Sequence, residues 1–304
     1  MSDTADTTAR HGMAYGLGAY GIWGLLPLYV HALVAVTPTE FVAQRIIWSL
    51  LVVGALILFS RRGAALRRAI ADRRVLLMLG GSATLIAANW LIYIWAVNHG
   101  HVLESSIGYF LNPLVNVVLG VALLKERLRP IQTAAVLLAA CGVAVLAIGA
   151  GAGLLIGLAL ALTFGFYGML RKVVAVESTE GLAIEMLLLA PFALGWLIML
   201  QAGGGMAFGR DLHVSALLIA GGPITAVPLL LFAAAARRMP YAALGVLQYL
   251  APTVQFALAI TVFGEHMTTA HMICFAFIWT GLLLYAVDAV RIVRRPSVAV
   301  AEPA

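Results

Sequence analysis

Arg45, Glu104 and Glu185 are charged residues set inside otherwise apolar runs. A charge within hydrocarbon costs roughly 2.5–3.5 kcal/mol even on a lenient insertion scale, so each needs a reason. Arg45 stands four residues beyond Phe41, where its run begins. Two roles are open to it. It snorkels its long stem to the interface, or it faces an internal cavity and pairs with a carboxylate or an anionic group of a solute. The near interface carries almost no other basic residue, so Arg45 serves no topology signal and the cavity role is preferred. Glu104, at the outer mouth of its own run, is the expected partner. It is also the carboxylate whose protonation would change if a proton drove transport. Glu185 lies near the opposite face of the membrane, separated in depth from Arg45.

Polar and aromatic groups gather in two neighbouring runs: Asn89, Trp90, Tyr93, Trp95 and Asn98, then Tyr109, Asn112 and Asn116. Asn89, Trp90 and Tyr93 share one helical face, and Tyr109, Asn112 and Asn116 share another. Trp95 and Trp196 suit an interfacial aromatic belt. An unpartnered amide in lipid is expensive, so the asparagines either join helices or line an aqueous cavity. Gln248, Trp23 and Tyr167 come from other runs at related positions. The expected substrate-binding set is therefore Trp23, Arg45, Asn89, Trp90, Tyr93 and Asn98, with Glu104, Tyr109, Asn112, Tyr167 and Gln248. Aromatic walls with a few fixed polar groups suit an amphipathic organic solute.

Other chemistries find less support. His99-Gly100-His101 has no Cys, Asp or third His nearby, so no metal is expected. No HExxH, GxSxG or GxxxxGK[ST] motif occurs, and the lysines are Lys125 and Lys172 alone. ATP-driven transport, a catalytic residue and a cofactor are not expected. An integral-membrane enzyme acting on a lipid-embedded substrate is the alternative to a transporter, and only Glu104 and Glu185 offer it acid or base.

The elements that must carry these residues follow from composition. Of 304 residues, 63% are hydrophobic and 11% charged, with mean hydropathy +1.02. A soluble domain carries about a quarter charged residues, so a water-soluble globule is excluded. Crossing hydrocarbon takes ~20 apolar residues. Ten stretches qualify: 12–35, 41–60, 75–97, 102–124, 131–149, 153–170, 182–200, 213–236, 241–263 and 268–288. No cleavable leader is expected, because the first apolar run is too long for one. Cys141 and Cys274 both fall inside runs and suggest no disulfide framework. Of 19 Lys and Arg, 17 fall in tails and loops on one side, Arg210 falls on the other and Arg45 within a run. That asymmetry places both termini in the cytoplasm. The net charge of +6 is a topology signal rather than a nucleic-acid face.

The chain also repeats. Shifted by 139 residues, Pro113 falls on Pro252, Glu126 on Glu265 and Gly142 on Gly281. At 140, Thr39-Glu40 meets Thr179-Glu180 and Arg45 meets Glu185. At 141, Gly12, Gly16 and Gly24 meet Gly153, Gly157 and Gly165. The expected fold is an all-α polytopic membrane protein of ten transmembrane helices in two five-helix repeats, 12–149 and 150–288, with cytoplasmic tails 1–11 and 289–304. Five is odd, so the second copy enters inverted, an architecture of transporters. Gly12/Gly16 and Gly153/Gly157 are small-xxx-small pairs suited to close packing. Pro113 and Pro252 are expected to kink their helices.

The stretches NWLIYIWAVNHGHVLESSIGYFLNPLVNVVLG, QRIIWS and FAFIWTGLLLYAVDA resemble the RarD group of the EamA family, in the drug/metabolite transporter superfamily. The likeness runs from about Tyr15 to Asp288. It implies ten helices, two EamA repeats and a permease of the bacterial inner membrane, with a nominal link to chloramphenicol-related resistance. The expected partners are a small organic solute, a proton and the lipid bilayer, with no nucleic acid. The expected assembly is a monomer or homodimer.

Overall fold

A backbone in hydrocarbon must satisfy its own N–H and C=O groups, which a helix does within one segment. The computed structural model describes residues 2–99, 102–148, 154–264 and 269–293, and the side chains of these except 2–7, 9, 97–98, 102–106, 286 and 289–293. The described elements are all helices: α1 Ser2–His31, α2 Pro38–Phe59, α3 Gly63–Ala71, α4 Arg73–Asn98, α5 Val102–Ala122, α6 Pro130–Ile148, α7 Leu154–Val173, α8 Ser178–Ala202, α9 Leu212–Ala236, α10 Tyr241–Leu247, α11 Leu250–Thr261 and α12 Thr269–Val293. Among the described residues, seven segments are long and apolar enough to cross a membrane: α2, α4, α6, α7, α8, α9 and the stretch Tyr241–Thr261. Shorter apolar stretches, Ile107–Ala122 and Thr269–Tyr285, lie in α5 and α12. The chain is an all-α polytopic membrane protein.

Two elements depart from a plain reading of apolar runs. The basic stretch 61–74 holds a helix, α3, because Leu66 and Ala69 pack onto Val75, Leu79, Val174 and Ile184 while its arginines stay outward. The run 241–263 is broken at Gln248 and Tyr249. Pro252 has no N–H to return to the Gln248 carbonyl, so that carbonyl instead takes the Ala251 N–H at 3.1 Å, a tighter i+3 bond. Pro113, at the related position, is carried inside α5 without a break. One proline of the pair splits its helix and the other does not.

The helices pair as α1 with α9 and α11, α2 with α8 and α9, α4 with α7 and α8, α5 with α7 and α10, and α6 with α12. Lipid supplies no hydrophobic drive between helices, so close approach through small residues holds such pairs. A Cβ at Gly142 of α6 would stand 2.8 Å from the Cys274 carbonyl oxygen of α12, and one at Gly281 of α12 would stand 2.7 Å from that of Ala135 of α6. Gly24 sits as closely against Val254, and Gly165 against Val115. Gly16 abuts Leu247 and Gly108 abuts Gly157.

Because the atom facing Gly281 is backbone, a methyl group there must push α6 and α12 apart. Gly281→Ala should therefore cost about 1–3 kcal/mol, the usual scale of overpacking. Gly54→Ala, with nothing within 4 Å of its Cβ position, should be neutral to stabilising by up to about 1 kcal/mol, because alanine is the better helix former. Thermal unfolding of the purified protein in detergent checks both; equal midpoints for the two variants would contradict the α6–α12 contact.

Candidate functional site

Arg45 reaches the α2–α9 junction because two glycines of α9 clear its way. A Cβ at Gly222 would stand 2.7 Å from the Trp48 backbone, so α2 and α9 touch there, and Ser49 Oγ donates to the Gly222 carbonyl at 3.2 Å. A Cβ at Gly221 would stand 3.4 Å from Arg45 Cγ and 2.5 Å from the Tyr29 hydroxyl, so its absence makes room for both. Arg45 Nε donates to Thr225 Oγ1 at 2.7 Å. Its guanidinium lies 5.3 Å from the ring centroids of both Phe41, one turn back on α2, and Trp90 of α4. Tyr29 donates to the Leu217 carbonyl at 2.9 Å, closing the side of the junction.

Tyr93 of α4 and Tyr109 of α5 pack edge to face at 6.3 Å beside this arginine. Tyr109 keeps 41% of its surface accessible, and Arg45, Trp90 and Tyr93 are half-buried. These four neighbouring side chains, each keeping accessible surface, form an open vestibule between α2, α4, α5 and α9.

The remaining expected site residues stand elsewhere. Asn89 donates to the Leu160 carbonyl at 2.8 Å and to Thr163 Oγ1 at 2.9 Å, joining α4 to α7. Trp23 and Tyr167 belong to an aromatic core with Tyr20, Phe164 and Phe232, ring centroids 5.4–6.3 Å apart. Gln248 is buried and accepts from Asn116 Nδ2 at 2.7 Å. The Tyr241 hydroxyl lies 2.9 Å from Asn116 Oδ1 and 2.7 Å from the Gly165 carbonyl, sharing its single hydrogen between them. Asn112 is 5% exposed and its Oδ1 has no hydrogen-bond partner among the described residues. Asn98 and Glu104 fall in α4 and α5, but their side chains lie outside the described residues, as does His101. Arg45 meets neutral partners, and its expected pairing with Glu104 has no described counterpart.

Sequence reasoning missed the buried partner of Glu185. Arg171, counted there as a loop cation, lies inside α7 at 1% exposure, 3.7 Å from Glu185 Oε1 at 0%. Its Nη2 donates to the Ser178 carbonyl at 2.9 Å, and Ser82 donates to Glu185 at 2.5 Å. Gly181 faces the guanidinium directly, and any Cβ there would strike it. That glycine was the only signal, and a sequence does not say what a glycine faces. Thr225, Tyr29 and Phe41 were also missed, because nothing in their spacing ties them to Arg45.

The same face carries further charged ties. Arg62 pairs with Glu180 at 2.7 Å and Arg237 with Glu177 at 2.9 Å. Glu126 accepts from the N–H groups of Tyr241 at 2.6 Å and Ala242 at 2.8 Å, holding the start of α10. Lys172 stands 3.6 Å from Glu126 and donates to the Ala236 and Met239 carbonyls at 3.0 and 2.7 Å. Glu126, Arg127, Lys172, Arg237, Arg238, Met239 and Pro240 line an open cleft of about 470 Å³. At the other end of α2, Glu40 accepts from the N–H groups of Ala207 at 2.9 Å and Phe208 at 2.9 Å.

Comparison with known proteins agrees with a transporter. The model of the EamA-like transporter family matches residues 10–148. An uncharacterized transporter of Pseudomonas aeruginosa is 47% identical over 96% of this chain and 98% of its own length. The protein RarD of Escherichia coli is 43% identical over 95% of this chain and 98% of its own. A chloramphenicol-sensitive protein RarD of Pseudomonas aeruginosa is 33% identical over 94% and 97%. A solved crystal structure at 22% identity superposes with TM-score 0.73, covering 92% of this chain and 98% of that one, a likeness of fold alone.

Removing one member of a buried ion pair strands the other, at about 3–5 kcal/mol. Glu185→Leu should destabilise the protein on that scale, while the double variant Arg171→Met, Glu185→Leu should recover most of the loss. A double-mutant cycle on thermal midpoints decides it; additive losses would mean the two charges are uncoupled.

Proposed function

Because this chain belongs to the EamA-like transporter family, in its RarD group, we propose that it is a secondary permease of the bacterial inner membrane that exports a small organic solute by alternating access. Its relatives carry transporter names, and the chain is a multi-pass membrane protein. The single observation that carries the reading is the Arg45 vestibule, where one charge and three aromatic rings stand together and keep accessible surface between helices.

The proposed architecture is two five-helix repeats, 12–149 and 150–288, inverted with both termini cytoplasmic. The helix pairings support it, since exchanging related helices returns the same set: α5–α7 exchanges with α1–α11, α4–α7 with α1–α9, and α4–α8 with α2–α9. The pairs α2–α8 and α6–α12 join related helices directly. The glycine contacts follow the same exchange. Gly142 meets Cys274 and Gly281 meets Ala135, and 135 and 274 are themselves related by the 139-residue shift, as are 115 and 254. In this architecture the vestibule lies where α9 of the second copy meets α2, α4 and α5 of the first, the expected place for a substrate.

The charged ties at the basic-loop face suggest how such a site is gated. Arg62–Glu180, Lys172–Glu126 and Ser82–Glu185 each join the two proposed copies at that face. They act as a closed cytoplasmic gate, to be broken when the copies rock. Proton drive belongs to the proposal, with Glu104 as the carboxylate that changes protonation.

The test is a comparison of solutes released by cells overexpressing the protein with cells lacking it, chloramphenicol among the compounds followed. At least one small organic solute should accumulate outside the overexpressing cells. Arg45→Ala, at equal membrane abundance, should return release to the level of cells lacking the protein. Release that is unchanged by overexpression would contradict the export reading, and full release by Arg45→Ala would return Arg45 to an interfacial role.

A further inference from the structure

We infer that the Arg45 vestibule takes a small organic carboxylate, one planar anionic end on an apolar body the size of an aromatic ring; this rests on the transporter reading above. The first ground is charge. Among the described residues Arg45 has no acidic partner: its contacts are a threonine hydroxyl and the faces of Phe41 and Trp90. Glu40, on the same helix, is committed to the N–H groups of Ala207 and Phe208. Neither α4 nor the described side chains of α5 include a carboxylate, and α9 contributes Thr225. A guanidinium held among rings without a counterion favours an anionic occupant, repels a cation and gains little from a neutral one.

The second ground is the shape of the donors. Thr225 occupies Nε, and the two Nη groups make no hydrogen bond among the described residues. Neither is sealed off from solvent, since Arg45 is half-buried and its nitrogens are not among the buried atoms left unpartnered. Two free, coplanar N–H groups match the two oxygens of a carboxylate. A phosphate dianion would meet only this one described cation, so the carboxylate is favoured.

The third ground is the wall. Phe41 and Trp90 give their faces to the guanidinium, which fixes the fork in one plane. Tyr93 and Tyr109, with Tyr109 41% exposed, remain to contact the body of the solute. Apolar ring surface ending in a hydroxyl suits an apolar body and tolerates one further polar group on it.

The experiment uses the purified full chain in detergent and three carboxylates, benzoate, phenylacetate and hexanoate, each beside its neutral amide. At least one carboxylate should raise the thermal midpoint saturably and quench tryptophan fluorescence, while its amide does neither. Arg45→Ala, shown to be folded by circular dichroism, should lose both effects. Arg45→Lys should bind about tenfold or more weakly, the scale of one lost charge-assisted hydrogen bond. Equal effects of carboxylate and amide, or no effect of any carboxylate, would overturn the inference. So would binding that appears only in Glu104→Gln, because Glu104 would then be the counterion. Any of these results beside an intact, Arg45-dependent solute release would remove the carboxylate and leave the transporter reading standing.

Discussion

Hydrocarbon offers a polar group nothing to bond to, and the interior of this chain is arranged around that constraint. Asn116, Gln248 and Tyr241 answer it together. The amide of Asn116 meets Gln248, and the hydroxyl of Tyr241 meets Asn116 and the Gly165 carbonyl, so one buried network ties α5, α7 and α10. Gln248 stands at the break between α10 and α11, where Pro252 leaves its carbonyl without an i+4 donor and the Ala251 N–H takes it instead. Glu126 then holds the start of α10 by two backbone N–H groups, which keeps the short helix in position.

The two arginines set within helices show the same constraint met in two ways. Arg171 is sealed at 1% exposure with Glu185, Ser82 and the Ser178 carbonyl around it, a charge neutralised inside the fold. That neutralisation is by charge more than by hydrogen bonds, since Arg171 Nε and Nη1 and Glu185 Oε2 have no hydrogen-bond partner among the described residues. Arg45, which corresponds to Glu185 at the 140-residue shift, keeps one hydrogen bond and two ring faces, and its outer nitrogens make no hydrogen bond among the described residues. The difference is access: Arg171 is sealed, whereas Arg45 is half-buried, and the proposed binding role rests on that.

Much of this was legible in the sequence. Low charge with long apolar runs fixed the membrane class, and Gly16 and Gly157 do stand at close helix contacts, although the tight backbone approaches at Gly142, Gly222 and Gly281 carried no such signal. Arg45, Trp90, Tyr93 and Tyr109 stood out because charge and aromatic hydroxyls are costly in lipid. Other polar residues stood out for the same cost and are spent on helix contacts: Asn89 on α7, Gln248 on Asn116. Polarity in a span marks a residue that needs a partner, and spacing along one helix does not say whether that partner is another helix or a solute. Arg171 was hidden by the adjoining Lys172, which made both look like loop cations. Thr225 and Gly221 were hidden because small residues carry no signal until the helix they face is known.

Rocking of two copies about the Arg45 vestibule is the central claim, and a reversible lock tests it most directly. In a background of Cys141→Ser and Cys274→Ser, Arg62→Cys and Glu180→Cys replace a 2.7 Å ion pair between the proposed copies. A short bifunctional thiol reagent cleavable by reduction would join them, and solute release would be followed before joining, after joining and after reduction. The account predicts that joining stops release and reduction restores it, with either single cysteine variant insensitive throughout. Undiminished release from fully cross-linked protein would contradict alternating access between these halves.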